Sequence, residues 1–566
     1  MMGTRPLPEP AGKTMTISTV RPSVTGEKRR ETPGSPADPG RWFTLACYAT
    51  GQLVLLGWWL AFHPGLMSPD SVTYVEHVTT GPWVGGQSVA YDALLGLCLW
   101  LTGDVSGVTL LQTAAMAAAL AHLAGALRPL GPRRGWLLVA VGCATLSPPL
   151  GAFTVTIWKD VPFTICAVLA AGTAIGLASG RTARGPSGGP PGGPASSAGP
   201  SAEDAAGRPA GDAARGPAAG PTAGPAAGPA GGAARAGSRR RGGTRRRRRP
   251  GNGWVWDRRH AALGAELLGL GLFRHNGFLV ALIAAVLLVL LLPGARRWVA
   301  VTAAGAVAVP PLLLGAGYPA LGIAPPSRTF AYQTVFGDLA VAYGERPELF
   351  GREERALLET IAPPDAWRRG ATCQTMARIF FDPAFGHAAA ERRISDVLRL
   401  WRSLLVRAPG LMLGTRICRA ALAWQIGSTA GEPGGELYRF STHDPRLPAA
   451  WEGTATASVM RQRPFLPVLR SAGLTALDAA TVRQFEWLLW RGPLWCYLAY
   501  AAAALAWRRT GSRAALAGAA VVAGQQLGVI LTNTAPDFRF MVTPILVGIL
   551  LTPLLAREVR ILAARR

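Results

Sequence analysis

Apolar residues along this chain gather in long, nearly uncharged runs separated by polar punctuation. Windows near 42–62, 105–127, 135–157, 161–179, 259–273, 277–293, 298–317, 484–506, 513–532 and 538–556 are apolar. Several are long enough for a helix to cross a hydrocarbon core of about 30 Å. The pattern predicts an all-α polytopic membrane protein with about ten transmembrane helices. One further stretch, VAYDALLGLCLWLT at 89–102, is shorter and carries Asp92. Whether it crosses decides the side of every later loop.

Arginine placement resolves this. Suppose that residues 1–41, with seven basic and four acidic side chains, are cytoplasmic and that 89–102 lies at the outer surface. Then Arg128, Arg133 and Arg134, the segment 181–250, Arg296 and Arg297, Arg508, Arg509 and Arg513, and the tail from Arg557 to Arg566 all face the cytoplasm. If 89–102 crosses, nearly all of them face outward, against the positive-inside bias. The expectation is a multi-pass protein of the plasma membrane with both termini inside. Its parts are a disordered tail at 1–41, an N-terminal membrane part at 42–180 with its first outer loop at 63–104, and a disordered linker at 181–256. Central membrane helices at 257–317, an outer-face helical region at 318–483, and C-terminal membrane helices with a short basic tail at 484–566 complete it.

Composition adjusts this picture in two places. A formal charge of +26 over 566 residues suggests nucleic acid, but much of it sits in tails and linkers beside membrane segments. Segment 181–250 carries 13 Arg against three acidic residues in a Pro/Ala/Gly-rich run that cannot bury a core. No aromatic residues interleave its arginines at 235–249, so the partner expected there is anionic lipid headgroups, not nucleic acid. The polar first 40 residues predict no cleavable signal peptide. The seven cysteines form no metal-binding spacing; Cys373 and Cys418 are candidates to pair if their region faces an oxidising compartment. Residues 403–426, with Arg407, Arg416 and Arg419 among apolar neighbours, suit an interfacial helix.

With this topology, four short polar motifs fall on the outer face. They are HPGLMSPDSVTY with Asp70, TVTIWKDVPF with Lys159 and Asp160, GLFRHNGF with Arg274, His275 and Asn276, and NTAPDFRFMVTP with Asp537 and Arg539. Each has a bland explanation alone: Lys159 snorkelling from a helix end, Arg274 as an interfacial anchor, His275 as a structural hydrogen-bonder, Asp537 and Arg539 as an exposed pair. Together, charges at membrane depth are functional candidates. Lys159, Arg274 and Arg539 suit an anion such as phosphate. Asp70 suits deprotonation of a hydroxyl, and Asp160 would orient Lys159 or serve as a second carboxylate.

The set PDSVTY followed by Gly81, with WKDVPF, FRHNG and PDFRF, resembles an uncharacterised bacterial branch of the GT-C membrane glycosyltransferases. That superfamily includes protein mannosyltransferases and mycobacterial cell-wall arabinosyl- and mannosyltransferases. The resemblance spans roughly 42–180, 255–340 and 484–556. It implies a GT-C type helical fold and a sugar donor carried on polyprenyl phosphate, with transfer on the outer face to a cell-envelope glycan, lipid or protein. Asp70 takes the place of the catalytic acidic residue, as base or as a metal-binding group. Asp160 joins it as a second catalytic candidate, and Lys159, Arg274 and Arg539 take donor-phosphate roles. Tyr74, His275, Asn276 and Asp537 are substrate-binding candidates. No DxD motif is present, which leaves a divalent cation open as cofactor. Where relatives often carry a His-Pro pair, this chain reads GGQSVAYDALL, with Gln87 or Asp92 as substitutes.

Two other readings compete. A transporter or flippase of a lipid-linked anionic substrate would use the same cations along a pathway, and Glu266, mid-helix, speaks for it. A non-catalytic scaffold docking through 318–483 would leave the clustered charges unexplained.

Overall fold

In a computed structural model, residues 39–180, 258–428, 447 and 449–556 are described. The expectations for nearly all of the tail at 1–41, for the 181–256 linker with its headgroup-binding stretch at 235–249, and for the basic C-terminal tail lie outside these residues. The described chain is mostly helical and contains no strand; it has two isolated bridges, Leu66 with Thr156 and Val84 with Ala324.

The first half comprises α1 (Pro39–Ala61), α2 (Pro69–Thr79), α3 (Val89–Thr102), α4 (Ser106–Leu127), α5 (Arg134–Leu146), α6 (Pro148–Thr154) and α7 (Asp160–Ser179). Next come α8 (Arg258–Phe273), α9 (Gly277–Leu291) and α10 (Arg296–Leu312), followed between residues 318 and 483 by α11 (Gln333–Glu345), α12 (Ile394–Arg407) and α13 (Pro409–Arg419) among shorter helices. The chain closes with α14 (Pro493–Thr510), α15 (Ala514–Thr532) and α16 (Val542–Leu551).

Among the described residues, five helical stretches are long and apolar enough to cross a membrane: Gly40–Ala61, Ser106–Leu130, Asp160–Ser179, Arg296–Ala320 and Ala514–Thr532. A sixth results if α5 and α6, bent by 71°, form one broken span. Pro148 and Pro149 open α6 at that bend, and neither has an N–H with which to continue the helix. The other windows are helical but shorter, except α14, whose last turn holds Arg508 and Arg509. Ten crossings are therefore more than length and composition support.

Enclosed α7 packs against α4, α8 and α15 through small residues. A Cβ on Gly269 would strike Cys166, and one on Gly518 would strike Ile175, so the backbones approach closely there. α3 buries Tyr91, Asp92 and Leu95 and leaves Leu97, Trp100 and Leu101 exposed.

The segment 335–412 has its own core around Phe336, Trp367 and Phe380. Within it, buried Asp338 accepts from Arg419 Nη1 at 2.6 Å, Arg416 Nε at 2.8 Å and Trp401 Nε1 at 2.9 Å. Cys373 and Cys418 are disulfide-bonded, with Cα atoms 5.7 Å apart. This unit seats on the loop after α15, where Asn533 Nδ2 donates to the Arg419 carbonyl at 2.6 Å and the Met376 N–H to the Thr534 carbonyl at 3.0 Å.

Candidate functional site: a carboxylate–guanidinium cluster

Two distant loops are stitched together first. The Leu66 N–H donates to the Val155 carbonyl and the Ile157 N–H to that of Leu66, both at 3.0 Å. Ser71 Oγ accepts from the Ser68 N–H at 2.9 Å, closing the first turn of α2, and donates to the Ile157 carbonyl at 2.8 Å. Trp158 Nε1 donates to Ser68 Oγ at 2.5 Å. Asp70 and Asp160 thus stand side by side in the first turns of α2 and α7, where helix N-termini favour carboxylates.

The other two motifs close over them. After α8 the chain turns through Arg274, with the Gly277 N–H donating to the Arg274 carbonyl at 2.9 Å. Gly277 is required there, because a Cβ would drive into the Leu270 carbonyl. On the far side, Asp537 Oδ1 accepts from the Arg539 N–H at 3.2 Å and starts a short 3-10 turn. Phe538 anchors that turn edge-on against Trp490 and Phe153, at ring-centroid distances of 4.9 and 6.0 Å.

The product is a compact ionic cluster. Arg539 Nη1 lies 2.6 Å from Asp70 Oδ2 and 3.5 Å from Asp160 Oδ2, and Arg539 Nε lies 2.8 Å from Asp537 Oδ2. Arg274 Nη1 binds the other oxygen of Asp160 in a short hydrogen bond, and Arg274 Nε donates to Asn276 Oδ1 at 3.2 Å. Both guanidiniums stack on Phe540, Arg274 at 4.6 Å and Arg539 at 5.5 Å from the ring centre, and Arg539 also lies 4.9 Å from Trp158. Among the described residues, none accepts from the Nη2 of either arginine. Each keeps one forked nitrogen available to an anion.

Lys159 sits apart from its sequence neighbour. Its Nζ donates to Gln87 Oε1 at 2.5 Å and lies 6.0 Å from the centre of the Tyr74 ring. The expectation that Asp160 orients Lys159 is therefore corrected: Asp160 bridges the two arginines, and Gln87 holds the lysine. Burial lowers the Lys159 pKa, Asp70 and Asp160 pull it back up, and Arg274 and Arg539 lower it further. Burial, with Asp70 and Asp160, pushes the Tyr74 phenol well above its ordinary range, so it stays neutral.

Of the remaining candidates, Asn276 supports Arg274 and donates to Thr532 Oγ1 at 3.1 Å. His275 lies outside the cluster, with Nε2 3.0 Å from the Gly86 carbonyl. Gln87 and His275 line a small surface cleft whose other walls include Leu272, Pro310, Leu314 and Tyr318. Asp92 does not face the cluster; it pairs with buried His77 Nδ1 at 2.9 Å. The motif PDFRF already flanks Arg539 with aromatic residues; the sharing of Phe540 by both guanidiniums and the part of Trp158 were not read from the sequence.

A divalent cation would need Asp70, Asp160 and Asp537 as donors, and all three are turned onto Arg539. Among the described residues, no group of three or more His, Cys, Asp or Glu side chains is placed to hold a metal ion. The donor set does not fit that cofactor. Comparison of the chain with family models, curated proteins and solved structures gave no match.

Proposed function

We propose that the protein is an integral membrane glycosyltransferase, moving a sugar from a polyprenyl-phosphate donor to a cell-envelope acceptor on the outer face. The observation that carries this reading is the meeting of Asp70 with Lys159, Arg274 and Arg539, drawn from four separate segments. Two open guanidinium nitrogens and a nearby ammonium suit a phosphate.

In this mechanism the phosphate takes up the free Nη2 groups and competes with Asp70 for Arg539. Asp70, released, accepts the proton of the acceptor hydroxyl. The acceptor oxygen bonds to the anomeric carbon as the bond from that carbon to the phosphate oxygen breaks. The leaving polyprenyl phosphate carries its charge onto the fixed cations. A ten-helix arrangement with both termini inside accompanies this reading. The Cys373–Cys418 bond is consistent with it, since disulfides persist in oxidising compartments.

The test is transfer by the full-length protein in proteoliposomes supplied with a polyprenyl-phosphate sugar and envelope acceptor. Asp70→Asn should insert normally and form no product; full product from that variant would end the proposal. One observation favours the transporter alternative. Glu266 Oε1 accepts from Thr173 Oγ1 at 2.8 Å, and that hydroxyl lies 3.3 Å from His122 Nε2, a polar line inside the helices. Lipid translocation without transfer, lost in Glu266→Gln but kept in Asp70→Asn, would select it.

A further inference from the structure

The three carboxylates of the cluster face the question of which cation they serve. Their positions answer it. Asp70 and Asp160 meet on one nitrogen of Arg539, at 2.6 and 3.5 Å, and Asp537 closes on Nε at 2.8 Å. Asp537 is fixed there by its own turn, where it accepts the Arg539 backbone N–H. Asp160 is held from the other side by Arg274. Stacking on Trp158 and Phe540 leaves the guanidinium side chain only 11% exposed. The guanidinium thus stands where the three carboxylates converge, with oxygens on two of its three nitrogens.

Charge agrees with position. Asp70, Asp160 and Asp537 balance Lys159, Arg274 and Arg539, so the cluster reaches neutrality with its own side chains. A divalent cation added here would meet arginine at its centre and raise the charge by two in a mostly buried site, which electrostatics disfavours.

We infer that Arg539 is the resident cation of this site. It occupies, through its own side chain, the position that a divalent ion would take among Asp70, Asp160 and Asp537, and anionic ligand binding proceeds without metal. The metal half of this inference stands on the cluster alone; the ligand half rests on the lipid-phosphate reading above.

Two measurements on the full-length purified protein separate the halves. The first is a Mn²⁺ titration followed by the electron paramagnetic resonance signal of the free ion. Wild type should show no Mn²⁺ site that depends on Asp70 or Asp160. Arg539→Ala, which exposes the three carboxylates to one another, should gain one Mn²⁺ per chain, lost again in Arg539→Ala/Asp160→Asn. A wild-type site abolished by Asp70→Asn or Asp160→Asn overturns the inference, and this comparison stands even if Arg539→Ala fails to fold. The second is thermal stabilisation by polyprenyl phosphate in EDTA and in Mn²⁺. Equal stabilisation supports metal-free binding, and stabilisation that appears only with Mn²⁺ refutes it. If the lipid stabilises in neither buffer, the lipid-phosphate reading fails while the Mn²⁺ titration still decides the role of Arg539.

Discussion

Asp160→Asn is the most informative single change, because Asp160 is the one carboxylate shared by both arginines. Arg274 Nη1 bonds one oxygen and Arg539 Nη1 lies 3.5 Å from the other. The Asp160 side chain is 2% exposed and that of Arg274 is 11% exposed, and among the described residues Arg274 has no other carboxylate. Removing one partner of a buried pair strands the other charge and costs about 3–5 kcal/mol. Asp70→Asn is the control. Asp70 is 34% exposed, and Arg539 keeps Asp537 and Asp160 after its loss, so the cost should be about 1 kcal/mol or less. Thermal unfolding in detergent, compared as a ranking, reads the difference. Asp160→Asn should melt well below wild type, Asp70→Asn should melt close to it, and Asp160→Asn/Arg274→Gln should recover part of the loss. A normal melting temperature for Asp160→Asn, or no recovery in the double variant, would show that Asp160 does not hold the two arginines.

Lys159 gives a pH signature. Its lowered pKa means that the folded chain sheds this proton before the unfolded chain does. Stability therefore rises with pH between the lowered value and the ordinary lysine range, while anion affinity falls over the same window. Polyprenyl-phosphate affinity measured across that window should decline in wild type and be weaker and flat in Lys159→Gln; a flat wild-type profile removes Lys159 from the anion site. Cys373 and Cys418 should resist maleimide until reduced, and Cys373→Ser should cost about 3–4 kcal/mol for a separation of 45 residues, read by thermal unfolding. In a cysteine-free background on intact cells, an impermeant thiol reagent should label Thr80→Cys and Glu348→Cys but not Gly135→Cys or Gly294→Cys. The reverse pattern would invert the topology.

The helices and the membership of the cluster were legible in the sequence for different reasons. Apolar windows announce helices through composition alone, and all ten became helical. Composition does not reveal that Pro148 bends the third window or that Asp537 starts a 3-10 turn ahead of α16, because such breaks shorten a helix without making it polar. Asp70, Lys159, Arg274 and Arg539 stood out because charge at an apolar border is expensive and therefore conspicuous. Their pairing was not readable. Lys159 and Asp160 are neighbours in sequence, yet one is the last residue before α7 and the other its first, and they point to different partners. The His77–Asp92 pair was equally hidden, since its members are 15 residues apart on two helices.

The region between α10 and α14 bears on the cluster through the loop that carries Arg539. Asn533 and Thr534, which open that loop, are bonded to Arg419 and Met376 of that region. Arg419 is fixed in turn by Asp338 and stands next to disulfide-bonded Cys418, and Met376 is three residues beyond Cys373. The Asp338–Arg419 pair and the disulfide therefore brace the two points where this region grips the loop. At the other end, Gln525 Nε2 on α15 donates to the Phe540 carbonyl at 2.6 Å, and Trp490 packs against Phe538. Arg539 is thus suspended between this region and the helix bundle. Because Phe540 also carries Arg274, any movement of this region over its seat would shift both guanidiniums together.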